Sequence, residues 1–216
     1  GIEGALLDPK YHNITIWTSI GLAFGFIVYL LIVGSDAADF WLLITLAAVF
    51  AYSVPKLRFK ERPFLDSITS ALHFVGPMVY GLVLAGSEIA DPKVIAVIAA
   101  FVGWGMASHA FGAVQDVRAD REAGIKSVAT QIGARNTVRF AFALYIVAAA
   151  TIMTIGWHGV VASLAVVPYL LIISPYLNIT DADCERANGG WKRFIWLNFF
   201  AGALISLVVI NFFQAN

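Results

Sequence analysis

The sequence has few charged residues and almost no cysteine, and each shortage excludes a class of protein. Lysine, arginine, aspartate and glutamate make up 13 % of the 216 residues, about half the share of an ordinary soluble domain. So little polar material cannot cover the surface of a soluble protein of this size. The single cysteine, Cys184, excludes an internal disulfide and a metal site made of cysteines alone. A mean hydropathy of +0.80 indicates an integral membrane protein.

Long apolar runs follow one another along the whole chain. A helix needs about 20 apolar residues to cross the hydrocarbon core of a bilayer. The runs predict an all-α, polytopic transmembrane helix bundle with seven spans, at residues 14–33, 40–54, 68–86, 94–114, 137–156, 159–176 and 191–213.

The basic residues are distributed very unevenly between the two predicted faces of the membrane. Of the 14 lysine and arginine residues, all except Lys93 fall on one side. Basic residues are concentrated in the cytoplasmic loops of membrane proteins. We therefore expect a multi-pass protein of the cell membrane, with its two long loops, residues 55–67 and 115–135, on the cytoplasmic side.

Two acidic residues, Asp116 and Asp120, stand four positions apart at the mouth of the fourth run. If a helix continues through this loop, their carboxylates lie on one face and repel each other by about 0.2–0.5 kcal/mol. A divalent cation removes that repulsion, and Mg²⁺ commonly binds one or two carboxylates together with substrate phosphates. The spacing fits a magnesium–diphosphate site. A solvated loop in which Arg118 and Arg121 neutralise the pair explains the spacing equally well.

The other long loop has basic residues at every second position between two prolines. They are Lys56, Arg58, Lys60 and Arg62. The preference for basic residues on the cytoplasmic side explains each of them singly. Their regular alternation, bracketed by Pro55 and Pro63, indicates a loop of defined shape. Lysine and arginine are also the side chains that bind phosphate.

Two histidines, His73 and His109, lie within predicted spans. A histidine inside the membrane is a candidate functional residue. It serves as often as a hydrogen-bonding partner between helices. The sequence assigns neither of them a role.

Three longer stretches carry a family resemblance. They read "DVRADREAGIKSVATQIGARN" from Asp116, "YSVPKLRFKERPFLD" from Tyr52 and "NITDADCERANGGWKRFIWLNFFAGA" from Asn178. The first resembles the second aspartate-rich motif of the UbiA superfamily of intramembrane prenyltransferases, and the second resembles the loop after that family's fourth helix. The closest resemblance is to the branch of lycopene elongases that make C50 carotenoids, which has runs similar to "AYSVPKLRFKERPF", "WGMASHAFGAVQDVRADREA" and "NITDADCERANGGWKRFIWLNFFAGA".

The resemblance implies a fold with nine helices and two aspartate-rich motifs. The seven runs would be the third to ninth helices of that fold. Residues 1–216 would form a single membrane prenyltransferase domain, truncated at its amino terminus and without the first motif and the first two helices. A chain alone in that form would be expected to have impaired activity.

The resemblance also implies a reaction and its site. The reaction is Mg²⁺-dependent transfer of a dimethylallyl group from its diphosphate to lycopene, a hydrocarbon taken from membrane lipid, with no nucleic-acid partner. The expected catalytic and metal-binding residues are Asp116 and Asp120. The expected diphosphate-binding residues are Lys56, Arg58, Lys60 and Lys126.

Other functions remain as alternatives. The same transfer to a quinone precursor or a chlorophyllide is the nearest, although the stretch "SHAFGAVQ" lacks the aspartate and tyrosine that the quinone branch often has there. A noncatalytic membrane subunit would need a partner chain that supplies the first motif. An ion transporter would need charged residues deep in several spans, and these spans are nearly free of charge.

Overall fold

The computed structural model describes residues 7–215, except for the side chains of Ile195 and of residues 212–215. Every regular element in that part of the chain is helical. The α-helices are α1 (His12–Val33), α2 (Asp36–Ser53), α3 (Leu65–Leu84), α4 (Pro92–Val114), α5 (Val117–Glu122), α6 (Val128–Met153), α7 (Trp157–Ser163), α8 (Val167–Ile173) and α9 (Asn188–Ala215). Turns of 3₁₀ helix occupy Pro9–Tyr11, Phe59–Glu61, Leu164–Val166, Ser174–Tyr176 and Asp181–Ala187.

The predicted all-α membrane bundle is confirmed. In the described residues, 6 helices are long and apolar enough to cross a membrane. The segments Asp181–Phe194 and Trp196–Asn211 meet at a bend of 42°, and they complete the predicted 7 spans if they count as one. The chain is thus a multi-pass membrane protein.

The largest boundary error concerns the fifth span, which was predicted to begin at residue 137. Helix α6 begins nine residues earlier, at Val128. Its first turn is polar and is held by a capping box in which Ser127 and Thr130 bond each other's backbone N–H groups. Gly133, with φ of 79° and ψ of 161°, then interrupts the helix before the apolar part. Hydropathy detects only the part that follows this interruption.

Large aromatic side chains fill the centre of the bundle. Phe111 of α4, Tyr145 of α6, Tyr169 of α8 and Phe194 of α9 are buried in one core cluster. Their ring centroids lie 5.1–5.2 Å apart for the pairs Tyr145–Tyr169, Tyr169–Phe194 and Phe111–Phe194. Aromatic pairs at such distances stabilise a core beyond the burial of their area. This packing fixes the four helices whose ends carry two of the charged loops.

The helices alternate in direction, so three loops meet at one end of the bundle. We call them the basic loop (residues 54–64), the aspartate loop (residues 115–127) and the α8–α9 loop (residues 177–187). Asp66 follows the basic loop and Val128 follows the aspartate loop, and a hydrogen bond from the Val128 N–H to Asp66 holds these two loops near each other. An ion pair between Arg121 and Asp181 joins the aspartate loop to the α8–α9 loop. The residues predicted to be functional all lie at this end.

Candidate active site

The basic loop has a constrained backbone. Lys56, Arg58 and Phe64 have φ angles of 79°, 40° and 70°, and no other non-glycine residue of the described chain has a positive φ. Residues with a Cβ rarely adopt such angles, so tertiary contacts must hold them there. One contact is the 3.1 Å hydrogen bond that the Arg62 guanidinium donates to the Lys56 carbonyl oxygen. The loop therefore has a defined shape, as the bracketing prolines predict.

The residues predicted to bind diphosphate all lie at the loop end of the molecule. Lys56 and Lys126 are exposed, whereas Lys60 is partly buried. Arg58 forms an ion pair with Glu61, which lies three residues further along the same loop. The guanidinium of Arg58 is thus held in place by a neighbouring acid, and the three lysines extend from the two long loops. Their role in binding diphosphate stays a prediction.

The aspartate loop keeps its two acids one helical turn apart. Helix α4 ends at Val114, so the continuous helix assumed for the loop is wrong. Asp116 instead immediately precedes the short helix α5, and the Asp120 N–H donates a 2.8 Å hydrogen bond to the Asp116 carbonyl oxygen. The two carboxylates therefore remain neighbours, but on a separate turn of helix that begins at Asp116.

Burial and neighbouring acids both act on the Asp120 carboxyl group. Burial raises the pKa of the Asp120 carboxyl above its ordinary value, and the carboxylates of Asp116 and Glu61 raise it further. Like charges disfavour the ionised form of a carboxyl group, whereas a neutralising guanidinium would lower its pKa. Glu61 belongs to the basic loop, which lies at the same end of the bundle as Asp120.

The arginines of the aspartate loop are directed to other acids. Arg121 Nη1 lies 2.5 Å from Asp181 Oδ2, and the same guanidinium donates a 3.1 Å hydrogen bond to the Thr130 carbonyl oxygen. Arg118 Nη1 lies 3.7 Å from Glu185 Oε1. Both partner acids lie on the α8–α9 loop. Each of the two arginines therefore has an acidic partner outside the aspartate pair.

Asp181 joins the aspartate loop to helix α6. Its Oδ1 atom accepts a 2.7 Å hydrogen bond from the Ala134 N–H, where the helix resumes after Gly133. Burial pushes the pKa of Asp181 up, but the Ala134 N–H and the Arg121 guanidinium outweigh burial and lower it. A side chain at Gly133 would meet both strain at φ of 79° and the Asp181 carboxylate. The α8–α9 loop therefore meets helix α6 at Gly133 and Asp181, and we call this contact the junction at Asp181.

The backbone just before Asp116 is fixed by the same α8–α9 region. The buried Gln115 accepts a 2.6 Å hydrogen bond at Oε1 from the Asn188 side-chain amide. The Cys184 thiol donates to the Gln115 carbonyl oxygen at 3.6 Å. The single cysteine is buried and structural here. These contacts position the start of the aspartate loop.

A further acid, Asp66, is fully buried at the start of α3. Its Oδ1 accepts a 2.8 Å hydrogen bond from the Ser67 N–H, and its Oδ2 accepts one of 2.7 Å from the Val128 N–H. The Nε2 atom of His109, on α4, lies 3.6 Å from Asp66 Oδ2. The Asp66 carboxylate thus links the first turns of α3 and α6 to His109, which lies near the loop end of α4.

The aspartate pair suits a hard divalent cation. Across residues 7–215, no group of three or more His, Cys, Asp or Glu side chains is placed to hold a metal ion. Mg²⁺ does not need such a group, because it commonly binds one or two carboxylates and completes its shell with water and substrate phosphate. Two neighbouring carboxylates, one with a pKa raised by the other, are donors of this kind. Asp116 and Asp120 therefore fit Mg²⁺.

Comparison with known proteins gives the family. The sequence model described as the UbiA prenyltransferase family matches residues 12–200. The chain belongs to the UbiA prenyltransferase family. It is accordingly an enzyme that transfers prenyl groups, which sets aside the transporter and the noncatalytic subunit considered from the sequence. No solved structure matches the chain.

Relatives of this UbiA chain have been named in several organisms. A protein of Corynebacterium glutamicum named lycopene elongase/hydratase is 44 % identical over 99 % of this chain and 74 % of its own length. The C(50) beta-cyclic carotenoids biosynthesis protein LbtBC of Dietzia sp. is 47 % identical over 97 % of this chain and 49 % of its own length. A lycopene elongase/hydratase of Haloferax volcanii is 32 % identical over 77 % of this chain and 52 % of its own length. The resemblance to the lycopene elongase branch is confirmed.

Several residues that build this UbiA site were not singled out from the sequence. Asp66, Gln115, Asp181 and Asn188 make the contacts that join the three loops. The available signals were weak: Asp66 is an acid in the first turn of an apolar helix, and Asp181 lies in the stretch shared with the elongase branch. Their partners lie 47 to 73 residues away along the chain. Spacing arguments cannot find partners at such separations.

Proposed function

We propose that the chain transfers a dimethylallyl group from its diphosphate to lycopene, with the diphosphate bound at the cytoplasmic end where the three loops meet. The observation that best supports this site is that Asp116 and Asp120 lie one helical turn apart at the start of α5, where burial and then the Asp116 carboxylate raise the pKa of Asp120. A pair of crowded carboxylates is stabilised by a divalent cation. The names of the Corynebacterium and Haloferax relatives support lycopene as the acceptor.

In this proposal, Asp116 and Asp120 hold Mg²⁺. Bound there, Mg²⁺ would offset the negative charge that develops on the leaving diphosphate. The residues Lys56, Arg58, Lys60 and Lys126 supply further positive charge to the diphosphate oxygens. Arg58 already forms an ion pair with Glu61 of the same loop. The roles of these residues are part of the proposal.

The apolar bundle has a second role in the proposed reaction. Cleavage of an allylic C–O bond leaves a carbocation, which water destroys unless the site is dry. Aromatic faces also stabilise a nearby cation, and the bundle is rich in aromatic side chains. Lycopene is a hydrocarbon and must arrive from the bilayer, whereas the diphosphate arrives from water. A site at the end of the bundle is accessible to both.

The relatives' name joins an elongase with a hydratase. We extend this pairing to the chain as part of the proposal. The end double bond of lycopene attacks the dimethylallyl carbon, so a C–C bond forms and a cation remains on the acceptor. Addition of one water molecule to that cation, with loss of a proton, gives an alcohol.

The experiment is an assay in membrane vesicles that contain lycopene, with dimethylallyl diphosphate and Mg²⁺. It measures diphosphate release and products longer by five or ten carbon atoms. Because the chain covers 74 % of the Corynebacterium relative, it is run both as it stands and fused to the relative's residues outside the match. Mg²⁺-dependent elongation in either form supports the proposal. Diphosphate release only with a quinone precursor or a chlorophyllide as acceptor would exclude lycopene.

A further inference from the structure

His109 occupies a distinctive position relative to the aspartate pair. It lies on α4, seven residues before Asp116. It lies five residues before α4 ends at Val114, so it is about 8 Å from the loop end of that helix. His109 therefore belongs to the bundle rather than to the loops that carry the proposed diphosphate site.

Among the described residues, Asp66 is the one fully buried acid in the half of the bundle next to the loops, and it lies beside the ring of His109. The side chain of Asp66 is 0 % exposed, whereas that of His109 is 20 % exposed. His109 Nε2 lies 3.6 Å from Asp66 Oδ2, which also accepts the Val128 N–H. A buried charge at a membrane boundary is costly and marks a functional site by default. The Ser67 and Val128 N–H groups hold the Asp66 carboxylate in place, so it has a fixed position beside the His109 ring.

The two nitrogens of the His109 ring have different surroundings, since Nε2 lies 3.6 Å from the Asp66 carboxylate, at an ion-pair rather than a hydrogen-bond distance. A carboxylate beside Nε2 favours the tautomer with its hydrogen on Nε2, which leaves a lone pair on Nδ1. The contact with Asp66 is on the Nε2 side of the ring. The carboxylate would also stabilise the imidazolium that forms when Nδ1 takes a proton. This is the arrangement of a general base with a positioning acid.

The other histidine at this depth is arranged differently. His73 Nδ1 is 2.7 Å from the Thr69 carbonyl oxygen on its own helix, and its ring packs edge-on against Tyr52. None of these contacts is with a carboxylate. His73 thus resembles a packed helix histidine, and it serves as the matched control for His109.

We propose that His109 is the general base that quenches the product cation and that Asp66 is its positioning residue. This inference rests on the proposed function. In the step, a water oxygen forms a C–O bond to the acceptor cation while one of its O–H bonds breaks. The proton passes to Nδ1 of His109, which becomes an imidazolium facing the Asp66 carboxylate. The electron pair of the broken O–H bond stays on oxygen, so the product is a neutral alcohol.

The test separates prenyl transfer from quenching. His109→Gln and His73→Gln are assayed in vesicles for diphosphate release, for alcohol product and for incorporation of ¹⁸O from labelled water. We expect His109→Gln to keep diphosphate release within about 3-fold while alcohol formation falls by about 10²-fold, the usual contribution of a general base. The His73→Gln variant should retain both. Equal alcohol formation in the wild type and His109→Gln would overturn the inference.

Two further measurements separate a chemical role from a structural one. Added imidazole should restore alcohol formation to His109→Ala, since a small base can replace the missing ring, and failure of this rescue counts against the base. Asp66→Asn should lower alcohol formation in the same direction, because an amide does not favour the required tautomer. Loss of diphosphate release in both His109 variants would also overturn a role confined to quenching. If the wild type releases no diphosphate with any acceptor, the proposed function fails, and the inference falls with it.

Discussion

The two ends of the bundle are built in different ways. At the loop end, polar contacts join segments far apart along the chain, such as Asp66 with Val128 and Gln115 with Asn188, separated by 62 and 73 residues. At the opposite end, Ser35 and Asp91 cap the helices that directly follow them, through hydrogen bonds spanning 3 and 2 residues. Distant segments are also joined there, by the hydrogen bonds of Tyr80 with Leu30 and of His158 with Asn211. Local caps are sufficient to end a helix. A network of distant contacts holds several loops in a fixed relation, as a site that binds a charged substrate requires.

The backbone shows the same contrast. All non-glycine residues with positive φ in the described chain belong to the basic loop, whereas the turns of the opposite end use Gly86 and Gly156 at such angles. Glycine adopts these conformations without strain, and other residues do not. Strain of this kind persists only where surrounding contacts hold it, and it is common at functional sites. The comparison predicts that equivalent substitutions will have different effects at the two ends.

The largest effect is expected from the aspartate pair. Asp116→Asn or Asp120→Asn should lower diphosphate release by about 10²–10³-fold, because the site loses a charged ligand that supports the leaving group. Asp91→Asn, which keeps a capping oxygen at the opposite end, is the control and should leave the rate unchanged. The measurement is the rate of Mg²⁺-dependent diphosphate release in vesicles. An Asp116→Asn enzyme with the wild-type rate would remove this residue from the site.

The junction at Asp181 should give the next largest effect. Asp181→Ala removes the cap of the Ala134 N–H and the partner of Arg121, so we expect the free energy of unfolding to fall by about 1–2 kcal/mol. The rate of transfer should fall too, because the aspartate loop loses a contact that orients it. Asp183→Ala is the neighbouring control, since that exposed carboxylate accepts only a local bond from the Thr180 hydroxyl. If Asp181→Ala and Asp183→Ala have the same unfolding free energy and the same transfer rate, the contacts of Asp181 do not contribute to stability or to activity.

A cap at the opposite end should affect stability without affecting chemistry. Asp91→Ala removes the side-chain acceptor of the Lys93 N–H at the start of α4, which should cost about 0.5–1 kcal/mol of unfolding free energy. The transfer rate per folded molecule should not change, because this end lies across the bundle from the three loops. Thermal unfolding and the vesicle assay measure the two quantities. A marked loss of rate here would weaken the contrast between the ends.

The smallest effect concerns the charge of Asp120 itself. Its raised pKa means that the folded chain holds this proton more tightly than the unfolded chain does, so ionised Asp120 destabilises the fold. The destabilisation is present above the folded-state pKa and disappears as the pH falls toward the ordinary aspartate value. Without divalent cations at neutral pH, Asp120→Asn should therefore raise the unfolding free energy by about 0.2–0.5 kcal/mol.

Added Mg²⁺ should make the unfolding free energy of the wild type higher than that of Asp120→Asn. The wild type gains stability from a bound cation, and Asp120→Asn gains less because it lacks one ligand. Thermal unfolding with chelator and then with Mg²⁺ shows both comparisons. Lower stability of Asp120→Asn in chelator would contradict a repulsive carboxylate pair.

Much of the fold and part of the site follow from local patterns in the sequence. The spans follow from runs of apolar residues, and the error at α6 arose where a polar capped turn precedes the apolar part. The closeness of Asp116 and Asp120 followed from their spacing, although α4 ends before Asp116 and a separate helix, α5, begins after it. The family followed from longer motifs and was confirmed. Whether these acids bind Mg²⁺ stays a prediction.

The sequence by itself determined that the chain is a helical membrane protein with its charge concentrated in a few loops. Period and hydropathy are properties of neighbouring residues, so they can be read along the chain. Only the tertiary structure decided that Arg121 pairs with Asp181 and that His109 meets a buried Asp66. Each of those contacts joins residues brought together by helix packing, and electrostatic interactions depend on distance in space and on burial. The chemistry proposed for this end of the bundle therefore depends on how the helices pack.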